Sequence, residues 1–289
     1  MRSFEYHKPG TIEEAVGLIG SLEDARFIAG GTDVMVLFRH KKIAPKNLIS
    51  LRNIKVLTGI EHKDGLWIGS GVTHTDIVKD EFIRQFYSAL HDATSNIGSR
   101  QIRNVATIGG NICNAAPSAD TACPLLVLDA KVIAAGQKGE REIDIDEFFL
   151  GPNMTALEKG ELVRAFKLPA FANGTGSAYI KHTRRQAMDL PILGIGARIT
   201  VKKEGGNLRC EDVRIAMVVM APRPIRAKKA EEALKGQMIS EKVLEEAGVV
   251  AANESMPRDS IRGEAWYRRE MAKVLVKRVI MKAVERITD

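Results

Sequence analysis

Apolar and polar positions along this chain fall into short segments whose period changes repeatedly. Thr11 precedes an amphipathic stretch, Glu14 stands three residues on as in a capping box, and Gly20 offers a stop, so a helix is predicted from Thr11. The apolar run Arg26-Phe27-Ile28-Ala29 reads as a strand entering the turn Gly30-Gly31-Thr32-Asp33. Val34 to Phe38 then leads into Arg39-His40-Lys41-Lys42, the pattern of a helix ending in positive charge. Asn47 to Leu51 and Gly65 to Gly69 read as further strands. Helix, strand, turn, helix, strand is the order of a small α/β unit.

From Thr73 to Ile102 the pattern is helical, with Ile77, Phe82, Phe86, Leu90 and Ile97 on recurring faces. A second glycine turn follows at Gly109-Gly110, then an apolar segment from Cys123 to Leu128 and strand-like runs at 131–135 and 162–166. The loop from Pro169 to Gly174 is the predicted boundary between two units, 1–172 and 173–289. Beyond it, 194–201 and 214–220 read as strands, with a hairpin connection at Lys202 to Gly206. Helices are predicted near 227–235, 241–253 and 264–286. The last carries a broad apolar stripe, which is expected to pack on its own unit and not on a membrane surface. The overall expectation is an α+β chain.

Composition narrows the function classes. With 289 residues, 45% hydrophobic and 27% charged, the chain has the make-up of an ordinary globular protein large enough for two units. No stretch approaches the length of a transmembrane helix, and the first residues lack the apolar core of a secretory signal, so a cytoplasmic location is expected. The net charge of +7 comes from 43 basic residues interspersed with 36 acidic ones, and aromatic content is 5%, which disfavours nucleic-acid binding. Cys113, Cys123 and Cys210 are too few and too scattered for a disulfide framework, a zinc site or a protein-held iron–sulfur cluster. His7, His40, His62, His74, His91 and His182 show no ligand spacing, so each is expected to be a surface or packing residue.

Candidate chemistry sits at the two glycine turns. Paired glycines let a ligand approach backbone amides, whose partial positive charge suits a phosphate. Thr32 adds a hydroxyl at the first turn, and Thr107, Ile108, Gly109, Gly110 and Asn111 repeat the ingredients at the second. Two such turns could grip the two phosphates of one dinucleotide, or they could be unrelated connections. No phosphate-loop signature occurs. Gly194-Ile195-Gly196 lacks the third glycine of a dinucleotide fingerprint and lies inside a strand-like run, so it reads as sheet packing.

Ala29-Gly30-Gly31-Thr32-Asp33, together with the stretch from Gln101 to Asn114, resembles the FAD subunit of xanthine dehydrogenase-type molybdenum hydroxylases. The resemblance continues through Ala119-Asp120, through Tyr179 to Arg185, and through Ala221 to Arg226, so it spans nearly the whole chain. Carbon monoxide dehydrogenase medium subunits and nicotinate dehydrogenase FAD subunits share the pattern. It implies an N-terminal FAD-binding domain of the vanillyl-alcohol-oxidase type. A smaller C-terminal domain of the carbon monoxide dehydrogenase flavoprotein type, an antiparallel sheet with a helical bundle, would follow.

The resemblance also implies a hetero-oligomer, with a small subunit carrying [2Fe–2S] clusters and a large subunit carrying a molybdopterin cofactor. FAD in this chain would collect electrons from the clusters and deliver them to NAD or another acceptor. The implied FAD contacts are Phe27, Ile28, Ala29, Gly30, Gly31, Thr32, Asp33 and Val34 at the first turn, and Thr107, Ile108, Gly109, Gly110 and Asn111 at the second. Ile97, Asp120, Val163 and Lys181 complete the set. Asp120 would reach the ribityl or ring end, because a carboxylate is repelled by pyrophosphate, and Lys181 would offset charge on the reduced ring. No catalytic acid or base and no metal ligand is implied. A free-standing flavin oxidoreductase and a basic binding protein are the alternatives; neither a flavin-tethering residue nor a basic run supports them.

Overall fold

The alternation of segment types yields three larger sheets and a two-stranded one, Phe149–Gly151 paired with Met154–Thr155. The structure is a computed structural model that describes residues 3–287. In the first sheet Asn47–Ser50 runs parallel to both of its neighbours, Glu5–His7 and Ala25–Ile28. Parallel neighbours need a crossover, and the helix Ile12–Ser21 supplies it between the two outer strands. The helix buries Ala15 and Val16 against Ile49, Ile54 and Leu57. Thr11 accepts from the Glu14 amide at 3.1 Å, as the predicted cap requires. Glu14 reaches back to the Gly10 amide at 2.7 Å, one residue earlier than a standard capping box.

The second sheet has five strands in the order Ile60–Glu61, Gly65–Gly69, Leu162–Pro169, Lys131–Gly136 and Gly139–Asp144, all neighbours antiparallel. The helical stretch predicted over 73–102 is cut into His74–Lys79, Glu81–Phe86, Ser88–Ser95 and Arg100–Arg103. Asp80 makes the first cut: it ends one helix and its carboxylate caps the next through the Ile83 amide at 2.9 Å. Gly98, at φ +49°, makes the last. Ile77 and Leu90 point into the core, while Phe86 remains exposed. The apolar segment predicted from Cys123 is the helix Ala122–Val127, buried throughout because it is wedged between this lobe and the next.

The third sheet runs Thr175–His182, Leu193–Glu204, Asn207–Val218 and Ile225–Arg226, all antiparallel. Its long hairpin turns at Gly205 and Gly206, both at positive φ. The helices Lys228–Leu234, Glu241–Glu254 and Ala265–Val284 follow, and the last buries Leu275, Val276, Val279 and Ala283 against its own lobe. Its apolar stripe is therefore accounted for by packing. Among the described residues no helix is long and apolar enough to cross a membrane.

The lobes are tied by polar contacts as well as by packing. Ser88 Oγ donates to Ser177 O at 2.8 Å, and the Ala89 amide donates to Ser177 Oγ at 3.1 Å. Cys123 Sγ donates to Ala216 O at 3.0 Å. Gly194 and Gly196 lie in a strand paired on both sides, and a Cβ on Gly196 would stand 3.1 Å from Cys123 Sγ. The Gly194-Ile195-Gly196 run is sheet packing, as its context predicts.

Candidate functional site

The two glycine turns come together in space. A Cβ on Gly30 would lie 2.1 Å from Val105 O, in the segment leading to the second turn. A Cβ on Gly109 would lie 2.6 Å from Ser70 Cβ. These two glycines are needed for close packing of backbone on backbone. Gly31 takes φ +74°, where a side chain is disfavoured. At Gly110 the nearest atom to an added Cβ is Thr107 Oγ1, at 3.1 Å.

The turns differ in what they can offer a ligand. In the second, the amides of Ile108, Gly109, Gly110 and Asn111 donate to Val72 O, Ser70 O, Thr107 Oγ1 and Thr107 O, at 2.9 to 3.0 Å. Those four donors are spent, which leaves the Thr107 amide and hydroxyl protons and the Asn111 amide group. Asn111 Oδ1 accepts from Thr121 Oγ1 at 2.6 Å, an arrangement that fixes the amide's orientation. In the first turn, the amides of Gly30, Gly31, Thr32 and Asp33 find no acceptor among the described residues. A run of unpaired amides is an anion site in waiting.

Both turns line one cavity of about 550 Å³. Phe27, Ala29, Gly30, Gly31, Thr32, Asp33 and Val34 reach it from the first turn, and Thr107, Gly109, Gly110 and Asn111 from the second. Ile97, Asp120, Val163 and Lys181 line it from elsewhere. Ile28 and Ile108 do not line it; both are buried behind their turns, and Ile28 packs where a Gly31 side chain would otherwise stand.

Asp120 is a buried charge in the cavity with two side-chain partners. It accepts from Tyr179 Oη at 2.8 Å and from Lys181 Nζ at 2.8 Å, and Lys181 also donates to Asn96 O at 3.1 Å. Burial pushes the Asp120 carboxyl above the usual carboxylate range, while Lys181 and Tyr179 pull against it. Burial likewise raises Asp33. The Tyr179 hydroxyl is driven well above its ordinary value by burial and by the adjacent Asp120 charge, so it remains a donor.

Some of the lining carries no sequence signal. His74 is 1% exposed, lines the cavity, and has an Nδ1 with no partner among the described residues. Burial, then the Arg103 charge, lowers its pKa to about 4, so the ring is neutral near pH 7. A lone histidine following a threonine gives no spacing pattern; only the fold brings it beside Thr107. Met188, Asp189 and Leu190 reach the same cavity from the C-terminal lobe.

This set of residues suits a dinucleotide cofactor. Unpaired amides await an anion, a buried imidazole nitrogen is orphaned, and a Cβ at Gly110, which lines the same cavity, would meet only Thr107 Oγ1 within 4 Å. Among the described residues no group of three or more His, Cys, Asp or Glu is placed to hold a metal ion.

A cavity shared by two glycine turns and completed by a second lobe defines a cofactor-binding protein. Residues 2–171 match the model of the FAD binding domain in molybdopterin dehydrogenase, and residues 178–283 that of the CO dehydrogenase flavoprotein C-terminal domain. The chain belongs to this family and is the FAD-binding subunit of a molybdenum hydroxylase-type oxidoreductase. It is 36% identical over 282 residues to a xanthine dehydrogenase FAD-binding subunit of Escherichia coli, covering 96% of this chain and 95% of that one. It is 32% identical to a carbon monoxide dehydrogenase medium chain of Hydrogenophaga pseudoflava, covering 96% of each. A solved carbon monoxide dehydrogenase from that organism superposes with a TM-score of 0.93 at 33% identity, over 99% of both chains. Quinoline 2-oxidoreductase from Pseudomonas putida gives 0.91 at 28% identity, over 98% of both.

Proposed function

We propose that this chain carries electrons through one FAD held in the cavity between its glycine turns. The electrons come from [2Fe–2S] clusters of a small partner subunit and originate at a molybdopterin cofactor in a large one. They leave to a soluble acceptor, with NAD as the first candidate, in a cytoplasmic complex. The observation that carries this reading is the single cavity formed by both turns, with free amides on one side and the Asp120–Lys181 pair on another. Bound FAD exchanges electrons singly or in pairs, which couples single-electron clusters to a two-electron acceptor.

The residues divide the work of holding it. The amides from Gly30 to Asp33 take the pyrophosphate, assisted by the Thr107 hydroxyl and the Asn111 amide. Phe27, Ala29, Val34, Ile97 and Val163 supply cavity walls, with Ile28 and Ile108 acting through the packing behind the turns. Asp120 and Lys181 stand at the ribityl and ring end, where a carboxylate is not set against phosphate. In this reading these groups bind and orient the cofactor, and substrate chemistry belongs to a partner. The N-terminal unit, 1–172, holds the cofactor, and 173–289 closes the cavity through Lys181 and the segment from Met188 to Leu190.

An absorption spectrum of the purified chain, before and after addition of FAD, tests this. Near-equimolar flavin is expected. Gly110→Val, whose side chain projects into the cavity, is expected to weaken FAD binding by roughly a hundredfold or more, the scale of losing several contacts to charged groups, while the melting temperature of the apo chain holds. Absence of flavin in the chain alone and in the co-expressed complex would sink the reading.

A further inference from the structure

Tyr179 does not line the cofactor cavity itself, but its buried hydroxyl stands directly behind it on Asp120, which does. It stands on the strand Thr175–His182, belongs to the core of the N-terminal lobe, and is 2% exposed. Its hydroxyl donates to Asp120 Oδ1 at 2.8 Å while Lys181, two residues on, donates to Oδ2 at 2.8 Å. One strand therefore grips both oxygens of one buried carboxylate, using a neutral donor and a cationic one.

The neighbouring strand is cut to fit. Gly194 pairs with Lys181, and a Cβ there would fall 2.3 Å from Tyr179 Oη and 2.9 Å from its Cζ. The ring tip thus occupies the space of the missing side chain. At its other end Tyr179 is anchored by its amide, which donates to Asp92 Oδ2 at 3.0 Å. With the strand held there and the ring seated over Gly194, the hydroxyl donates to Asp120.

We propose that Tyr179, seated over Gly194, is a positioning residue that keeps Asp120 ionised as the counter-charge of Lys181, and so sets the pH range in which this end of the cavity carries no net charge. The proposal rests on the FAD reading, since it concerns the electrostatics felt by the flavin. A phenolic donor stabilises the carboxylate form of Asp120; without it the same buried carboxyl takes up a proton more readily. Protonated Asp120 leaves the Lys181 ammonium uncompensated, and a positive cavity favours the more negative, reduced state of a bound flavin.

His74 and Asp33 line the same cavity and also titrate at low pH, in wild type and variant alike, so the comparison between the two proteins isolates Asp120. Cys123, on the helix Ala122–Val127, is fully buried, donates to Ala216 O, and has a thiol driven well above its ordinary pKa by burial. Asp92, Lys282 and Arg286 form their own cluster at the backbone of Tyr179. Asp189 lines the cavity from the loop beyond the strand and pairs with Arg185 at 3.5 Å.

The test is a spectroelectrochemical titration of the flavin in the holo complex, wild type against Tyr179→Phe, across a series of pH values. The variant is expected to keep its FAD and its fold. The low-pH rise in its flavin potential is expected to begin roughly 1–2 pH units higher than in wild type, the equivalent of one hydrogen bond to a charged group. Gly194→Ala, if it folds, should displace the ring and reproduce that shift, and adding Tyr179→Phe should move it no further. Superimposable curves in two flavin-loaded proteins overturn the role of Tyr179 and leave the FAD reading standing. So does loss of FAD from a well-folded Tyr179→Phe, which makes the hydroxyl a binding determinant instead. A wild-type complex without flavin removes the FAD reading, and this inference with it.

Discussion

Gly30→Ala is expected to give a flavin-free protein that melts several degrees below wild type. The added Cβ would lie 2.1 Å from Val105 O, 2.8 Å from Val105 C and 2.9 Å from Ala106 Cα. All three are backbone atoms, so no rotamer change can make room. The opposing segment is also fastened: the Val105 and Ala106 amides both donate to Ile102 O, and Ala106 O accepts from the His74 amide. Either the first turn moves away or that network breaks. Overpacking of this kind costs about 1–3 kcal/mol, and a backbone clash belongs at the upper end. In a chain of this size that corresponds to a fall of roughly 5–10 °C in melting temperature. Displacement of the first turn also disperses the free amides from Gly30 to Asp33, so FAD binding is lost with the stability. A thermal melt paired with flavin absorbance separates this from Gly110→Val, where occupancy falls and stability does not. Full occupancy and an unchanged melt in Gly30→Ala would show that the two turns are not in backbone contact.

That contrast shows what could and could not be read in the sequence. Paired glycines at each turn announce a site, and the strand–turn–helix order around Gly30 is periodic enough to predict. Which member of each pair serves the ligand is not legible, because it depends on Val105 and Ser70 arriving from elsewhere in the chain. Two of the spent amides of the second turn are hidden for the same reason: the acceptors of Ile108 and Gly109, Val72 O and Ser70 O, belong to the segment following a distant strand, whereas Gly110 and Asn111 donate to Thr107 within the turn. The sequence predicts a surface or packing role for His74; it is buried, yet its orphaned Nδ1 at the cavity is a product of tertiary structure. The stretch 73–102 reads as helical because its apolar spacing persists. Its division at Asp80 is set by a capping side chain that periodicity does not weigh. Short strands such as Glu5–His7 and Ile60–Glu61 fall below the length at which alternation can be detected at all.

Asp92→Asn is expected to loosen the docking of the C-terminal lobe, and the loss should depend on pH. The Asp92 carboxylate accepts from the Tyr179 amide, from Lys282 Nζ at 3.0 Å and from both terminal nitrogens of Arg286 at 2.7 and 2.9 Å. It links the helix Ser88–Ser95 of one lobe to a strand and the C-terminal helical segment of the other. Burial works to raise its pKa, but the Arg286 and Tyr179 hydrogen bonds and the two cationic charges together hold it below the ordinary value. A carboxyl depressed in the folded state contributes stability that is present above its unfolded pKa and lost as pH falls through its folded one.

The side chain of Asp92 is 12% exposed, against 36% for Lys282 and 30% for Arg286, so solvent screens the cationic partners in part. Removing the charge is therefore expected to cost about 2–3 kcal/mol at neutral pH, less than for a fully buried pair. The difference from wild type should close below the normal carboxylate range, where wild-type Asp92 is itself protonated. Chemical denaturation of both proteins at neutral pH and at successively lower pH measures this directly. A gap that stays constant with pH would mean that Asn disturbs packing and not charge. The same variant also reports on the cavity, because Asp92 holds the backbone of Tyr179 whose hydroxyl meets Asp120. If docking of the lobes is what aligns that pair, FAD affinity should weaken together with stability and recover with neither Lys282 nor Arg286 replaced singly.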